Sequence, residues 1–142
     1  MIPVTNFSHV CIGVTDIDRS VAWYREHLGF DQLFDVELGG PSMEAVTGDQ
    51  GAAGRMVGGM VGGVVVELLS FAHEPRTGYT NTSFRVEDLD AAHAAAADAG
   101  AEPGELVDIG GVRMFFVEDP DGTPIEVIEF PGGATTSEDL WR

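Results

Sequence analysis

Hydrophobic and polar positions alternate through the first apolar stretch, Phe7 to Thr15: Val10, Ile12 and Val14 fall on one face, His9, Cys11 and Gly13 on the other. A period of two predicts a strand whose branched face packs on helices and whose His9 face turns toward whatever the sheet encloses. The period then changes. Ile17, Val21, Tyr24 and Leu28 recur at helical spacing, with Asp16 or Asp18 placed to cap and Gly29 to stop, which predicts a helix over Asp18 to Leu28. Alternation resumes from Phe30 to Leu38 and breaks at Gly39-Gly40-Pro41. Between Ser42 and Gly63 the pattern is lost among seven glycines. The expectation there is a mobile loop and one glycine-containing strand near Gly54 to Met60, its glycines serving turns or the close approach of a ligand. Val64 to Phe71 reads as a strand with Val65, Glu67 and Leu69 on one face.

After a turn-rich linker, Ala72 to Thr80, the pattern restarts. Asn81 to Val86 predicts a strand, and Leu89 to Ala99 an Ala-rich helix capped by Asp88 and ended by Gly100. Three further strands are expected at Glu105 to Ile109, Arg113 to Val117 and Pro124 to Phe130, the last two joined by the turn Asp119-Pro120-Asp121-Gly122. The restart is a repeat. Setting His9 against Asn81 brings Val14 onto Val86, Asp16 onto Asp88, Ile17 onto Leu89 and Asp18 onto Asp90; Val66 to Phe71 matches Ile125 to Phe130, with Glu67 opposite Glu126. Two copies are too few for a solenoid. They predict an α+β domain of two pseudo-symmetric βαβββ modules, about 5–71 and 81–130, sharing one cavity, because neither is large enough to bury a core alone. The tail, 131–142, is either disordered or docked on a neighbouring subunit.

Composition narrows the partners. All seven basic residues of the 142 are Arg, against 24 acidic ones, for a formal charge of −17. That field repels nucleic acid and anionic membranes and leaves a small molecule as the expected partner, cationic ones being drawn in. No apolar run reaches membrane-spanning length, and Met1 to His9 has no basic region followed by an apolar core, so a cytoplasmic location is expected. No phosphate-binding loop is present. Cys11, mid-strand and without a disulfide partner, reads as a core or cavity-wall residue rather than a nucleophile.

A carboxylate inside an apolar strand costs several kcal/mol if buried unpaired. Glu67 and Glu126 are two such cases at equivalent places. With His9 on the matching first strand they supply an imidazole nitrogen and carboxylate oxygens suited to a divalent first-row metal with positions left open for substrate. The competing account puts both glutamates at water-facing edges and makes His9 a hydrogen-bonded core residue. Arg55 and Arg113, also roughly equivalent, are either forked donors for a substrate carboxylate or members of surface ion pairs. His27, near a helix end, reads as a surface residue.

The segments SHVCIGVTDIDRSVAWYREHLGF and FVEDPDGTPIEVIEF resemble the opening and closing motifs of the vicinal oxygen chelate superfamily, which includes glyoxalase I, extradiol dioxygenases, methylmalonyl-CoA epimerase and bleomycin-resistance proteins. The resemblance runs from about Phe7 to Phe130. It implies eight strands enclosing a cup, usually in a homodimer, with a metal held by residues of the first and last strands of each module. Carried over by position, His9, Glu67 and Glu126 are metal ligands. The remaining ligand position, usually His, is Asn81, which leaves a three-residue set with water, recruitment of His73, or loss of the metal. The implied cofactor is a divalent ion, Mn, Co, Ni, Fe or Zn, weakly bound or absent, the oxygen-rich set favouring the first four. The implied activity is that of a glyoxalase- or epimerase-like lyase or isomerase in which Glu67 or Glu126 moves a proton, with Asn81, Arg55 and Arg113 toward the substrate. The alternatives are a metal-free small-molecule sequestering protein and, disfavoured by the single matched His, an extradiol-type dioxygenase.

Overall fold

The computed structural model describes residues 1–72, 77–118, 120 and 122–142; His73, Asp119 and Asp121 lie outside them, and with them the recruited-ligand expectation and part of the predicted turn. In chain order the elements are β1 (Asn6–Gly13), α1 (Ile17–Leu28), β2 (Asp31–Leu38), α2 (Gly40–Thr47), β3 (Gly54–Val61), β4 (Val64–Phe71), β5 (Gly78–Arg85), α3 (Leu89–Asp98), β6 (Val107–Ile109), β7 (Val112–Glu118), β8 (Pro124–Glu129) and α4 (Ser137–Trp141). The eight strands form one sheet in the order β2-β3-β4-β1-β5-β8-β7-β6. This order reads as the same unit twice: β1 runs parallel to β4 and β5 parallel to β8, while the modules meet along the antiparallel pair β1/β5.

The repeat extends to the caps. Asp16 accepts from the Arg19 backbone N–H at 3.0 Å to start α1, and Asp88 accepts from Ala91 at 2.9 Å to start α3. Each satisfies a donor the first helical turn leaves orphaned. Gly29, at φ 67°, ends α1 in the left-handed conformation. Both helices cover the outer face of their own module. Ile17 and Val21 pack with Phe30, Val57, Val66 and Leu68, and Val10, Ile12 and Val14 join them; in the second module Leu89, Ala92 and Ala96 pack with Val86, Phe115 and Val127.

The glycine-rich segment holds the expected strand as β3, but a helix stands before it where a mobile loop was expected. Gly40–Thr47 is a helix, started with Pro41 in its first turn and closed at Gly48, and only then does β3 begin. The paired glycines of β3 seat aromatic rings rather than a ligand: a methyl group at Gly58 would overlap the Phe34 ring, and one at Gly59 would lie 2.6 Å from the Asp31 carbonyl oxygen. Helix α2 reaches the other module. Ala45 and Val46 pack with Val107, Met114, Ile128 and Phe130, and the Ser42 hydroxyl donates to the Asp108 carbonyl at 2.7 Å. The sheet is thereby curled into a cup with α2 bridging from the β2 end to β6. The tail is ordered on its own chain: Trp141 stacks on Phe34 with ring centroids 4.1 Å apart, and Arg142 bonds Asp31 at 2.9 Å.

Candidate functional site

The parity of β1 that sends Val10 and Ile12 to the helices turns His9 and Cys11 into the cup. Register does the rest. Cys11 lies opposite Glu67 on β4 and opposite Asn81 on β5, while Ser83 lies opposite both His9 and Glu126. Side chains from the four central strands therefore converge at the junction of the modules, where His9, Glu67, Asn81 and Glu126 are all buried. They form the floor of a cavity of about 840 Å³.

His9 Nε2 stands 3.1 Å from Glu67 Oε2 and 3.5 Å from Glu126 Oε1. Its other nitrogen, Nδ1, lies 2.9 Å from the Ser8 hydroxyl. Glu126 is oriented by the Ser83 hydroxyl, which donates at 2.8 Å, and by a longer 3.5 Å contact from the Asn81 amide. Burial pushes the Glu67 carboxyl up to about 7; His9 opposes the shift and Glu126 adds to it. The Cys11 thiol is pushed well up by burial, and then by the two carboxylates, which keeps it a neutral wall residue.

Two buried carboxylates face one imidazole, and among the described residues lining the cavity none is Lys or Arg. With both carboxylates ionised, such a site would carry more negative charge than one imidazole offsets, which is costly in a low-dielectric interior. One imidazole nitrogen and two carboxylates are donor types that divalent first-row cations take. Asn81 adds an amide at the position equivalent to His9 and here touches Glu126.

Arg55 and Arg113 are not among the described residues lining the cavity and stand in ion pairs, the second of the two readings their sequence positions allow. Arg55 on β3 forks onto Asp35 at 2.7 and 2.9 Å and reaches Asp18 of α1 at 3.0 Å; Arg113 on β7 bonds Asp90 of α3 at 2.9 Å and Glu129 at 3.4 Å. Asp18 and Asp90 are themselves partners in the repeat. Each arginine thus ties the first turn of its module's helix to the sheet. Sequence reasoning missed Ser83, although carrying Cys11 through the repeat lands on it. It also missed Ser8 and the cavity wall made by Met43, Val46, Leu140 and Trp141.

The chain belongs to the Glyoxalase/Bleomycin resistance protein/Dioxygenase superfamily, whose model matches residues 6–127. This is the vicinal oxygen chelate grouping that the opening and closing motifs resemble. The chain is 28% identical over 138 residues to the uncharacterized protein YaeR of Escherichia coli (strain K12), a match covering 91% of this chain and 99% of that one. Among solved structures it is similar to methylmalonyl-CoA epimerase from Mycobacterium tuberculosis, with a TM-score of 0.71 at 24% identity, covering 91% of this chain and 90% of that chain. It is also similar to a mutant of 4-hydroxymandelate synthase from Streptomyces coelicolor, with a TM-score of 0.67 at 13% identity, covering 97% of this chain and 52% of that one. At these identities the likeness shows the shared fold.

Proposed function

We propose that this chain is a metal-dependent lyase or isomerase acting on a small compound that carries a carbonyl or hydroxyl group. The observation that carries this reading is the convergence of His9, Glu67 and Glu126 at the floor of the cup. These three residues would hold the divalent cation. When bound, the cation supplies positive charge for the substrate oxygen on which negative charge develops as the neighbouring carbon loses its proton. Glu126, fixed by Ser83, fits the part of a stationary ligand. Glu67, buried beside His9 Nε2, is the candidate for the group that takes a proton from carbon and returns it. Glu126 is the other candidate for that transfer.

The walls narrow the substrate. Met43, Met56, Leu69, Met114, Phe116 and Ile128 line the cup, which suits an apolar body. No cation stands among the described lining residues to meet a carboxylate or phosphate, so a neutral substrate is favoured over an anionic one.

Protein loaded with Mn, Co or Ni and incubated in D₂O with a panel of small hydroxycarbonyl compounds should catalyse exchange of the hydrogen next to the carbonyl, followed by proton NMR. Glu67→Gln should slow that exchange by about 10²- to 10⁴-fold. Uptake of apolar compounds with neither metal binding nor exchange would instead make the cup a sequestering site. We further propose a homodimer, which light scattering at micromolar concentration should show; a monomer alone would count against it.

A further inference from the structure

The chain beyond the family-matched residues 6–127 is built into the site. Ser137, the first residue of α4, is 2% exposed, and its hydroxyl lies 2.7 Å from that of Ser8, itself 5% exposed. Ser8 in turn lies 2.9 Å from His9 Nδ1. A continuous line of hydrogen bonds thus runs from the C-terminal helix to the imidazole whose Nε2 faces Glu67 and Glu126. All three residues on it are buried.

Holding α4 in this place takes several contacts. Thr136 and Asp139 form a reciprocal capping box, Trp141 stacks on Phe34, Arg142 bonds Asp31, and the Asn6 amide donates to the Thr135 carbonyl at 2.8 Å. Docking of the helix could be achieved by these contacts without a buried hydroxyl. A buried hydroxyl needs a partner, and the one Ser137 finds leads to His9.

We propose that Ser137, acting through Ser8, positions the His9 ring, so that the C-terminal segment is a working part of the site; this rests on His9 being a ligand as argued above. A hydroxyl both donates and accepts. When Nε2 is given to a cation, Nδ1 carries the proton and donates to Ser8, which donates to Ser137. When Nε2 keeps its proton toward Glu67, the chain reverses and Ser8 donates to Nδ1. The pair therefore supports the ring in both states, and fixing the ring through its far nitrogen is how outer groups tune metal affinity.

The test reads His9 in protein labelled with ¹⁵N-histidine, without metal and during Co(II) titration. Ser137→Ala and Ser8→Ala should each move the His9 ring nitrogen signals in metal-free protein and weaken Co(II) binding about tenfold. Ser137→Thr, which keeps the hydroxyl, should restore both. Asp139→Ala serves as the control, since it loosens the α4 cap while leaving the hydroxyl pair. The proposal is overturned if Ser137→Ala leaves the ring signals where they are, or if Asp139→Ala moves them equally. Should the parent bind no Co(II), the metal reading fails, and the ring signals of the metal-free proteins alone decide whether Ser137 positions His9.

Discussion

At the residue scale the site is defined by a departure from its own symmetry. His9 and Asn81 occupy equivalent places, as do Glu67 and Glu126, yet only one of the first pair is an imidazole. An amide oxygen is a neutral and weak donor, so the first module supplies two of the three strong donors in the proposed metal set. Asn81→His should place a second imidazole beside Glu126 and raise Co(II) or Ni(II) affinity about tenfold or more in a calorimetric titration. Glu126→Ala should lower it by at least as much, because a charge is lost and Ser83 is left without its acceptor. Equal affinities in parent and both variants would remove these residues from the binding of metal. His9, Glu67 and Glu126 were legible in the sequence because a mid-strand carboxylate is conspicuous and the repeat marks it twice. The Ser8 and Ser137 pair was not, since nothing in either local pattern brings the two ends of the chain together.

At the scale of elements, the strongly periodic ones match their sequence signals closely: α1 and α3 are capped by Asp16 and Asp88, α1 closes at Gly29 and α3 at Ala99, one residue before Gly100, and β4 and β8 carry the buried glutamates. Of the weakly periodic ones, β3 stands where its strand was expected and α2 was not foreseen. Helix α2 is short, glycine-flanked and packed by few side chains, so its apolar residues gave no helical stripe. Arginines 55 and 113 are ion-paired because each has an aspartate of the repeat within reach, a pairing visible only when Asp18 and Asp90 are set beside them. The glycines of β3 have a packing role that composition hides. Gly58 leaves room for Phe34, on which Trp141 of α4 stacks, and Gly59 leaves room for Phe30. At Gly59 the obstruction includes a backbone carbonyl that cannot swing aside. Gly59→Ala should therefore cost about 1–3 kcal/mol in urea unfolding, as overpacking does, and a cost near zero would show that β2 shifts freely against β3.

At the scale of the whole molecule, the acidic charge and the buried acidic pair act together on stability. In the unfolded chain Glu67 ionises near its ordinary 4.5, whereas in the metal-free fold it does so at about 7. Between those values the folded protein holds a proton that the unfolded chain has lost, so stability falls as pH rises through this window and levels above it. The formal charge of −17 adds a self-repulsion that also grows as carboxylates ionise, and the two must be separated. Glu67→Gln separates them, since it removes the buried titration and changes the surface charge hardly at all. In thermal unfolding with chelator present, the glutamine variant should gain on the parent between pH 5 and pH 8. A divalent ion needs the ionised carboxylate, so adding Co(II) should stabilise the parent more at pH 8 than at pH 5 and reverse that ranking. A parent and variant whose difference in Tm is the same at both pH values, with and without metal, would mean that Glu67 titrates as an ordinary surface acid and that the cup's floor is open to water.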